Sequence, residues 1–398
     1  MALSANQVFK PIDFRTRFPA LDGLRALAIC AVFAEHYGGG SHGGLILNLI
    51  NILRSRGWLG VDLFFVLSGF LITGILYDTQ QDSRYFLRFF ARRSLRIFPI
   101  YYLVFFVLLL LTPILLLQWR PGHLLFLIYQ GNWLANHDFS LYVIPSGRSR
   151  WMLVSLSHFW SLCVEEQFYM LWPFAIFLLR SRKKILVAAM TLSLIAIGLR
   201  AGEFAWLGAA QAEGWIVRTL PFRMDSLLIG GMLALLLRGP AAARIQGACK
   251  WMFALGTAGA LAIFFLSPMY DSPWLLIPGY TIIAIGCAGL IGLTIREGSV
   301  AFHIFRWKPL QILGKYSYGF YIYHLLFRWF WIGFLVWCGR KTHSIALSGV
   351  MALGVNFVVT FVVSKISYDY FESRFLRWKK HFEYDKELSS HRHAFVVE

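Results

Sequence analysis

The sequence predicts an all-α polytopic membrane protein, a transmembrane bundle of about ten helices. Composition is the first reason. Hydrophobic residues make up 58% of the 398 residues, whereas charged residues make up only 15%, and soluble domains are typically about a quarter charged. The second reason is that apolar stretches recur almost from end to end. No window is long and polar enough to form a separate soluble domain.

Ten apolar segments are long enough to cross the hydrocarbon core of a bilayer. In residue numbers they are roughly 20–37, 58–77, 97–118, 158–179, 185–200, 216–237, 251–268, 273–295, 312–338 and 344–368. A shorter apolar run over 124–134 is too brief for a full crossing, so we expect it to be re-entrant or interfacial. The sequence therefore predicts a membrane-embedded domain over residues 1–372 and a short basic cytoplasmic tail over 373–398.

Positive charge is concentrated in alternate loops. The chain has 38 Lys and Arg against 20 Asp and Glu, a formal net charge of +18. The basic loops are 84–96, 180–184, 238–250, 296–308 and 374–380, and the exceptions to the alternation are Arg54, Arg56, Arg148, Arg150, Arg340 and Lys341. Because short loops rich in Lys and Arg stay in the cytoplasm, both termini are predicted to be cytoplasmic. Nucleic-acid binding is the alternative for so basic a chain, but this placement favours topology and attraction to anionic lipid.

The cysteines predict neither a disulfide framework nor a zinc site. They are widely scattered and have no metal-ligand spacing. Most lie within or beside apolar segments, where a small buried hydrophobe is the ordinary interpretation. The five are Cys30, Cys163, Cys249, Cys287 and Cys338.

Ionisable residues inside membrane segments are functional candidates, because charge in the hydrocarbon core is costly. Arg25 and His36 share the first segment. Their separation of eleven residues places them on one helical face, about 16 Å apart along the axis. The alternative is an arginine that extends to the lipid headgroups and an interfacial histidine.

Four arginines precede the third segment at helical spacings: Arg88, Arg92, Arg93 and Arg96. Guanidinium groups bind phosphate in a bidentate manner, so this cluster is a candidate site for a phosphorylated cofactor. Simple anchoring of a cytoplasmic loop is the alternative.

The fourth segment opens with a histidine and two adjacent carboxylates. His158 and Glu165 are seven residues apart, hence on one face and about 10 Å apart along the axis. Glu165 and Glu166 must each be paired or protonated at membrane depth, and we interpret them as functional. Asp62, His324, the pair Arg223 and Asp225, and the pair Lys365 and Asp369 complete the set of intramembrane candidates. For these residues a purely structural role, such as a buried ion pair, is the alternative.

Six sequence blocks carry motifs that occur together in one family. They are FPALDGLRALAICAVFAEHY, WLGVDLFFVLSGFLIT, RRSLRIFPIYY, HFWSLCVEEQFYMLWP, PFRMDSLLIGGMLA and LGKYSYGFYIYHLL. In these blocks the chain resembles the acyltransferase-3 family of bacterial integral membrane O-acyltransferases, from about residue 16 to 372. The first block has the family's arginine and histidine with ten residues between them (Arg25 and His36). The third has its Arg-x-x-Arg pattern (Arg93 and Arg96).

The resemblance implies transfer of an acyl group, usually acetyl, from cytoplasmic acyl-coenzyme A to a hydroxyl of a cell-surface or exported carbohydrate. It also implies a multi-pass protein of the bacterial plasma (inner) membrane, with acyl-coenzyme A as co-substrate and no tightly bound cofactor or metal. His36 is then the expected general base, since a sugar hydroxyl is too weakly acidic to react unaided. Glu165 or Glu166 is expected to orient it, with Arg25 and His158 as further catalytic residues.

The same resemblance makes the four arginines coenzyme A ligands: Arg88, Arg92, Arg93 and Arg96. It makes the remaining buried polar residues candidates for substrate binding: Asp62, Arg223, Asp225 and His324. The acceptor could instead be a macrolide or other small-molecule hydroxyl, a peptidoglycan sugar or a lipid-linked saccharide. A secondary transporter is the alternative from another class. Inverted repeats or broken helices would indicate a transporter, and the sequence shows neither.

The orientation can be tested with reporter fusions. Fusions after residues 80, 182, 240 and 380 are expected to report a cytoplasmic position, and fusions after 45, 208 and 271 an external one, because the basic loops remain inside. A consistent reversal would contradict the orientation and the side assigned to every candidate residue.

Overall fold

Apolar helices form nearly all of the structure, a computed structural model that describes residues 18–37, 51–52, 54–134, 140–143, 153–266, 271–326 and 328–384. The predicted all-α polytopic bundle is confirmed within these ranges. One small antiparallel sheet accompanies the helices, in the order β1-β2-β3. Its register pairs Leu117 with Val143 and Ser140 with Ser155.

The helices and strands are numbered here in chain order. The helices are α1 (Pro19–Tyr37), α2 (Leu59–Asp78), α3 (Tyr85–Leu115), α4 (Leu124–Leu127), α5 (Phe159–Leu179), α6 (Arg182–Leu207), α7 (Ala209–Arg218), α8 (Leu220–Leu236), α9 (Ala242–Leu266), α10 (Tyr280–Ile295), α11 (Val300–Phe305), α12 (Lys308–Tyr323), α13 (Arg328–Thr342), α14 (Ile345–Ser367) and α15 (Ser373–Arg377). The strands are β1 (Leu117–Gln118), β2 (Ser140–Val143) and β3 (Leu153–Ser155). Short 3₁₀ turns lie at Pro121–His123, Gly131–Leu134 and Trp378–Phe382, and π-helical turns at Leu275–Gly279 and Tyr368–Glu372.

Seven helical segments of the described chain are long and apolar enough to cross a membrane. They lie in α2, α3, α5, α6, α9, α10 and α14, and an eighth is reached if α7 and α8 count as one bent span. By length and composition, eight of the ten predicted spans therefore have a matching helix or bent pair. The predicted span 20–37 corresponds to α1, which is less apolar because it carries Asp22, Arg25 and Glu35.

The predicted span 312–338 is not one helix. The chain turns after His324, between α12 and α13. The imidazole Nδ1 of His324 lies 2.5 Å from the carbonyl oxygen of Tyr321. That carbonyl would accept the next backbone N–H of a continuing helix, so the side chain competes with helix propagation at this point.

The predicted span 216–237 is broken at Thr219. Thr219 is extended (φ −115°, ψ 147°), and α7 and α8 meet there at 47°. Pro221 explains the restart, because proline is tolerated in the first turn of a helix but cannot supply a backbone N–H within one.

The run 124–134 is not a full crossing, as predicted. It consists of α4 and a 3₁₀ turn. The Tyr101 hydroxyl donates to the carbonyl of Phe126 at 2.7 Å. The amide of Gln167 on α5 donates to Asn132 Oδ1 at 2.7 Å and to the carbonyl of Tyr129 at 2.8 Å. Buried hydrogen bonds therefore attach this segment to α3 and α5.

Helices α2 and α8 pack backbone against backbone. A Cβ atom at Gly69 would overlap the carbonyl oxygen of Leu227, and one at Gly230 would overlap that of Val66. Small residues allow this close approach, which is a common source of stability between helices in membranes.

Two buried ion pairs connect these helices to their neighbours. Arg223 on α8 donates to Asp62 on α2 at 2.5 Å. Arg200 on α6 donates to both carboxylate oxygens of Asp225 on α8, at 3.1 and 2.9 Å, and Thr281 on α10 donates to the same carboxylate at 2.5 Å. The predicted pairing of Arg223 with Asp225 is therefore wrong. Residues two apart on a helix point to different faces, so each takes its partner from another helix.

Removing one member of the buried pair should destabilise the protein strongly. The side chains of Arg200 and Asp225 are both 0% exposed. Arg200→Met should thus lower the free energy of unfolding by about 3–5 kcal/mol, because Asp225 is left as an uncompensated buried charge. Chemical unfolding in detergent micelles measures this.

The matched control is Lys365→Met, because Lys365 pairs with Asp369 on the surface, where an ion pair adds little stability. The double variant Arg200→Met, Asp225→Asn should recover part of the loss. If Arg200→Met and the control variant lower the free energy of unfolding equally, the structural importance given to the buried pair is contradicted.

Candidate active site

Three neighbouring cavities follow one another between the helices. The first, here the cationic cavity, has about 1370 Å³ of space and is lined by residues that include Arg25, Arg92, Arg93, Arg96, Lys315, Lys379 and Tyr384. The second, the carboxylate cavity, has about 890 Å³ and is lined by residues that include Ser68, Glu165, Glu166, Tyr169 and Tyr321. The third, the histidine cavity, has about 880 Å³ and is lined by residues that include Glu35, His36, Asp62, His158 and Arg223.

The cavities share walls. Arg25, Arg93 and Arg96 line both the cationic and the carboxylate cavity. Val61 and Tyr321 line both the carboxylate and the histidine cavity. The three cavities therefore form a row from the arginines of α3 to the histidines at the end of α1 and the start of α5.

The structure brings three of the four predicted arginines to one cavity. Arg92, Arg93 and Arg96 line the cationic cavity. None of the three forms a salt bridge with a carboxylate of the described chain. Arg88 does not line this cavity. It pairs with the buried Asp82 in the loop before α3 at 2.5 Å, so we leave it out of the candidate site.

Arg25 lies at the arginine end of the row, opposite His36, as its spacing from His36 on α1 indicates. Its guanidinium donates to Asp22 at 2.5 Å, one turn earlier on the same helix. It faces the cationic and carboxylate cavities, whereas His36 faces the histidine cavity.

The two adjacent glutamates both line the carboxylate cavity. Glu166 is only 7% exposed, and its Oε1 atom has no hydrogen-bond partner among the described residues. Beside them the hydroxyls of Ser68 and Tyr169 are hydrogen bonded to one another. The guanidinium of Arg93 lies 5.8 Å from the centre of the Tyr169 ring. The glutamates therefore line the same cavity as Arg93 and Arg96.

Three imidazoles meet beside the histidine cavity. The ring of His324 lies 5.1 Å from that of His36 and 5.0 Å from that of His158, measured between centroids. Both His158 and His324 are buried, at 3% and 0% exposure. The three come from α1, the start of α5 and the end of α12, so only the fold could show that they are neighbours.

Each imidazole is fixed by a backbone carbonyl. His36 Nδ1 lies 2.8 Å from the oxygen of Val32, and His158 Nε2 lies 3.0 Å from that of Ile322. A carbonyl can only accept, so the bonded nitrogen of each neutral ring carries the proton and the opposite nitrogen is the basic one. In the described part of the chain, His158 Nδ1 and His324 Nε2 have no hydrogen-bond partner. No group of three or more His, Cys, Asp or Glu there has a metal-binding arrangement.

The expected contact between a glutamate and His36 is not formed. Glu165 and Glu166 line one cavity and His36 another, where its acidic neighbour is Glu35. Helical phase predicts which residues of one helix share a face, but not which helix that face meets.

The four predicted substrate-binding residues separate into two groups. Asp62 and Arg223 line the histidine cavity as an ion pair, and His324 lies against its two histidines. Asp225 instead pairs with Arg200 outside the three cavities. Lys365 and Asp369 form the expected pair at 2.6 Å, on the surface.

Sequence reasoning did not single out several residues of the site. Lys315 and Lys379 both line the cationic cavity, but in the sequence they are ordinary basic residues of a loop-flanking helix and a tail. Arg200 was also missed. Its position within a predicted membrane span, at the end of 185–200, could have marked it as an intramembrane ionisable residue.

The chain belongs to the acyltransferase family, since a model of the acyltransferase domain matches residues 18–368. It is 31% identical over 325 residues to the O-acetyltransferase OatA of Staphylococcus aureus, covering 77% of this chain and 50% of that protein. It is 28% identical over 383 residues to the peptidoglycan O-acetyltransferase OatA of Listeria monocytogenes, covering 90% and 56%. It is 30% identical over 325 residues to the putative peptidoglycan O-acetyltransferase YrhL of Bacillus subtilis, covering 77% and 48%.

The chain spans about half the length of these curated relatives. No solved structure matches it. The family is thus shown by sequence, and the arrangement of the cavities comes from the structure described above.

Proposed function

We propose that this protein is a membrane O-acetyltransferase that transfers an acyl group from cytoplasmic acyl-coenzyme A to a hydroxyl of a cell-surface carbohydrate. The observation that carries the proposal is the row of cavities, with a cation cluster at one end and three imidazoles at the other. The acyltransferase family supports the reaction class. Relatives named as peptidoglycan O-acetyltransferases support a carbohydrate acceptor.

The cationic cavity is the proposed donor site. Coenzyme A carries several phosphate groups, and guanidinium groups bind phosphate through paired charge-assisted hydrogen bonds. Arg93 and Arg96 suit this role because they line both the cationic and the carboxylate cavity. Phosphates held there leave the pantetheine arm and its thioester to extend into the carboxylate cavity.

The histidine cavity is the proposed acceptor site. Aromatic and polar side chains line it together, the composition typical of a small-molecule site. Its aromatic members are Trp58, Trp160, Tyr280 and Tyr321. His36 is the proposed base: its Nδ1–H donates to the carbonyl of Val32, which makes Nε2 the basic nitrogen of the neutral ring.

The reaction then takes place where the two cavities meet, beside Val61 and Tyr321. As His36 removes the proton, the acceptor oxygen forms a bond to the thioester carbonyl carbon. The carbon–sulfur bond breaks when the tetrahedral species collapses, and the coenzyme A thiolate leaves with the electron pair and is protonated. Glu165 and Glu166 lie on the donor side, so we place their action at the thioester end and not on His36.

A secondary transporter is the second candidate, favoured by one observation. The bent pair α7 and α8 is a broken span, a feature of many transporter binding sites. The family match favours acyl transfer over transport. Transport of a solute across proteoliposomes, without acyl transfer, would support this candidate instead.

The arginine site can be tested by binding. Arg93→Ala and Arg96→Ala should each weaken coenzyme A binding about ten- to a hundredfold, because a charge-assisted contact contributes about 1.5–3 kcal/mol. Arg84→Ala is the matched control on the same stretch, since Arg84 is exposed and lines none of the three cavities. Isothermal titration in nanodiscs measures the affinities. Unchanged binding in the Arg93, Arg96 double variant would make these arginines topology anchors only.

The base can be tested with His36→Gln, which keeps hydrogen bonding and approximate size but cannot take up a proton. The rate of acyl transfer should fall by about 10² to 10⁴, with coenzyme A affinity unchanged. Mass spectrometry of acetyl groups on surface glycan, together with coenzyme A titration, checks both parts. His303→Gln on the exposed side of α11 is the control. Normal acetyl content in a folded His36→Gln protein would transfer the role to His158 or His324.

A further inference from the structure

The last described residues, 378–384, fold against the arginine-bearing end of α3. The guanidinium of Arg92 donates to the carbonyl oxygens of Lys379 and Phe382, at 3.4 Å each. The same guanidinium lies 5.2 Å from the centre of the Tyr384 ring, within the range of a cation–π contact. One arginine of the proposed donor site therefore holds this segment in place.

The side chains of the segment enter the same cavity. Lys379 and Tyr384 line the cationic cavity with Arg92, Arg93 and Arg96. Burial, and then the positive charges of Arg96, Arg93 and Arg92, lower the pKa of Lys379. Its ammonium form therefore depends on an anion beside it. No salt bridge to a carboxylate in the described chain relieves Lys379, Arg93 or Arg96. Two carboxylates also line the cavity, but Asp22 pairs with Arg25 and Asp78 with Arg238. Like charges that converge in a half-buried space repel one another, so the remaining cations favour an anion between them.

We propose that residues 378–384 complete the donor site, with the Lys379 ammonium binding a phosphate of coenzyme A. Tyr384 and the two backbone carbonyls hold Arg92 in position beside it. The inference rests on the proposed function, because it takes the donor to be a coenzyme A thioester. The family match covers residues 18–368, so Arg92 lies within the matched residues and the segment 378–384 lies beyond them.

An anionic lipid headgroup offers the same phosphate chemistry. The structure favours coenzyme A, because the cationic cavity continues through Arg25, Arg93 and Arg96 into the carboxylate cavity. A lipid headgroup needs no such passage, whereas the thioester arm of a donor does.

The test compares two adjacent lysines. Lys379→Met removes the charge and keeps the apolar stem, and Lys380→Met makes the same change at an exposed position that does not line the cavity. Coenzyme A is titrated into each protein in nanodiscs of zwitterionic lipid. Lys379→Met should weaken binding about tenfold or more, Lys380→Met should stay within twofold of the unsubstituted protein, and Lys379→Arg should retain most of the affinity.

The outcomes distinguish the role of Lys379 from the proposed donor site as a whole. If the unsubstituted protein binds coenzyme A and Lys379→Met binds equally well, the inference is overturned and the proposed donor site stands. If the unsubstituted protein does not bind coenzyme A, both fall. If, in nanodiscs that also contain anionic lipid, Lys379→Met retains less of that lipid while its coenzyme A affinity is unchanged, the segment is a lipid site. Thermal unfolding of each variant shows whether the fold is intact, and Lys379→Arg retains the charge should Lys379→Met fail to fold.

Discussion

The cost of placing charge in a low-dielectric interior is the constraint on which this structure depends. Helix α8 shows how it is met. It contributes Arg223 to a pair with Asp62 on α2 and Asp225 to a pair with Arg200 on α6. One helix is thereby connected to two neighbours by charge, and through Thr281 to a third. Asp62 and Arg223 also line the histidine cavity, so one of the two ion pairs that connect the helices forms part of the wall of the proposed acceptor site.

The same constraint separates structural cations from candidate ligand-binding ones. Arg200 and Arg223 are fully buried and each has a carboxylate partner. Arg93 and Arg96 have no such partner among the described residues, and they face the largest of the three cavities. A cation without a counter-ion is tolerated where water or an anionic ligand can reach it. The lack of a carboxylate partner, more than the number of arginines, supports a phosphate-binding role for the arginines of α3.

Relations between residues of one helix could be predicted from the sequence, whereas contacts between different helices could not. The spacing of Arg25 and His36 correctly indicates one helix with a cation and an imidazole toward opposite ends. The pairing of Arg223 with Asp225 was wrong because nearness along the chain is not nearness on a helix surface. The meeting of His36 with His324 was beyond sequence reasoning, because it depends on how α1 and α12 pack and on the turn that ends α12 at His324.

The separation of the two cavities at the ends of the row has a chemical consequence. A cation close to an imidazole disfavours its protonated form and so makes it a weaker base. Arg93 and Arg96 lie in the cationic and carboxylate cavities, and His36 lies in the third. The two glutamates line the space between. Arg218 and Arg223 do line the histidine cavity, but Glu213 and Asp62 line it with them. The arginines of α3 therefore place positive charge at the proposed donor end of the row and not beside the proposed base.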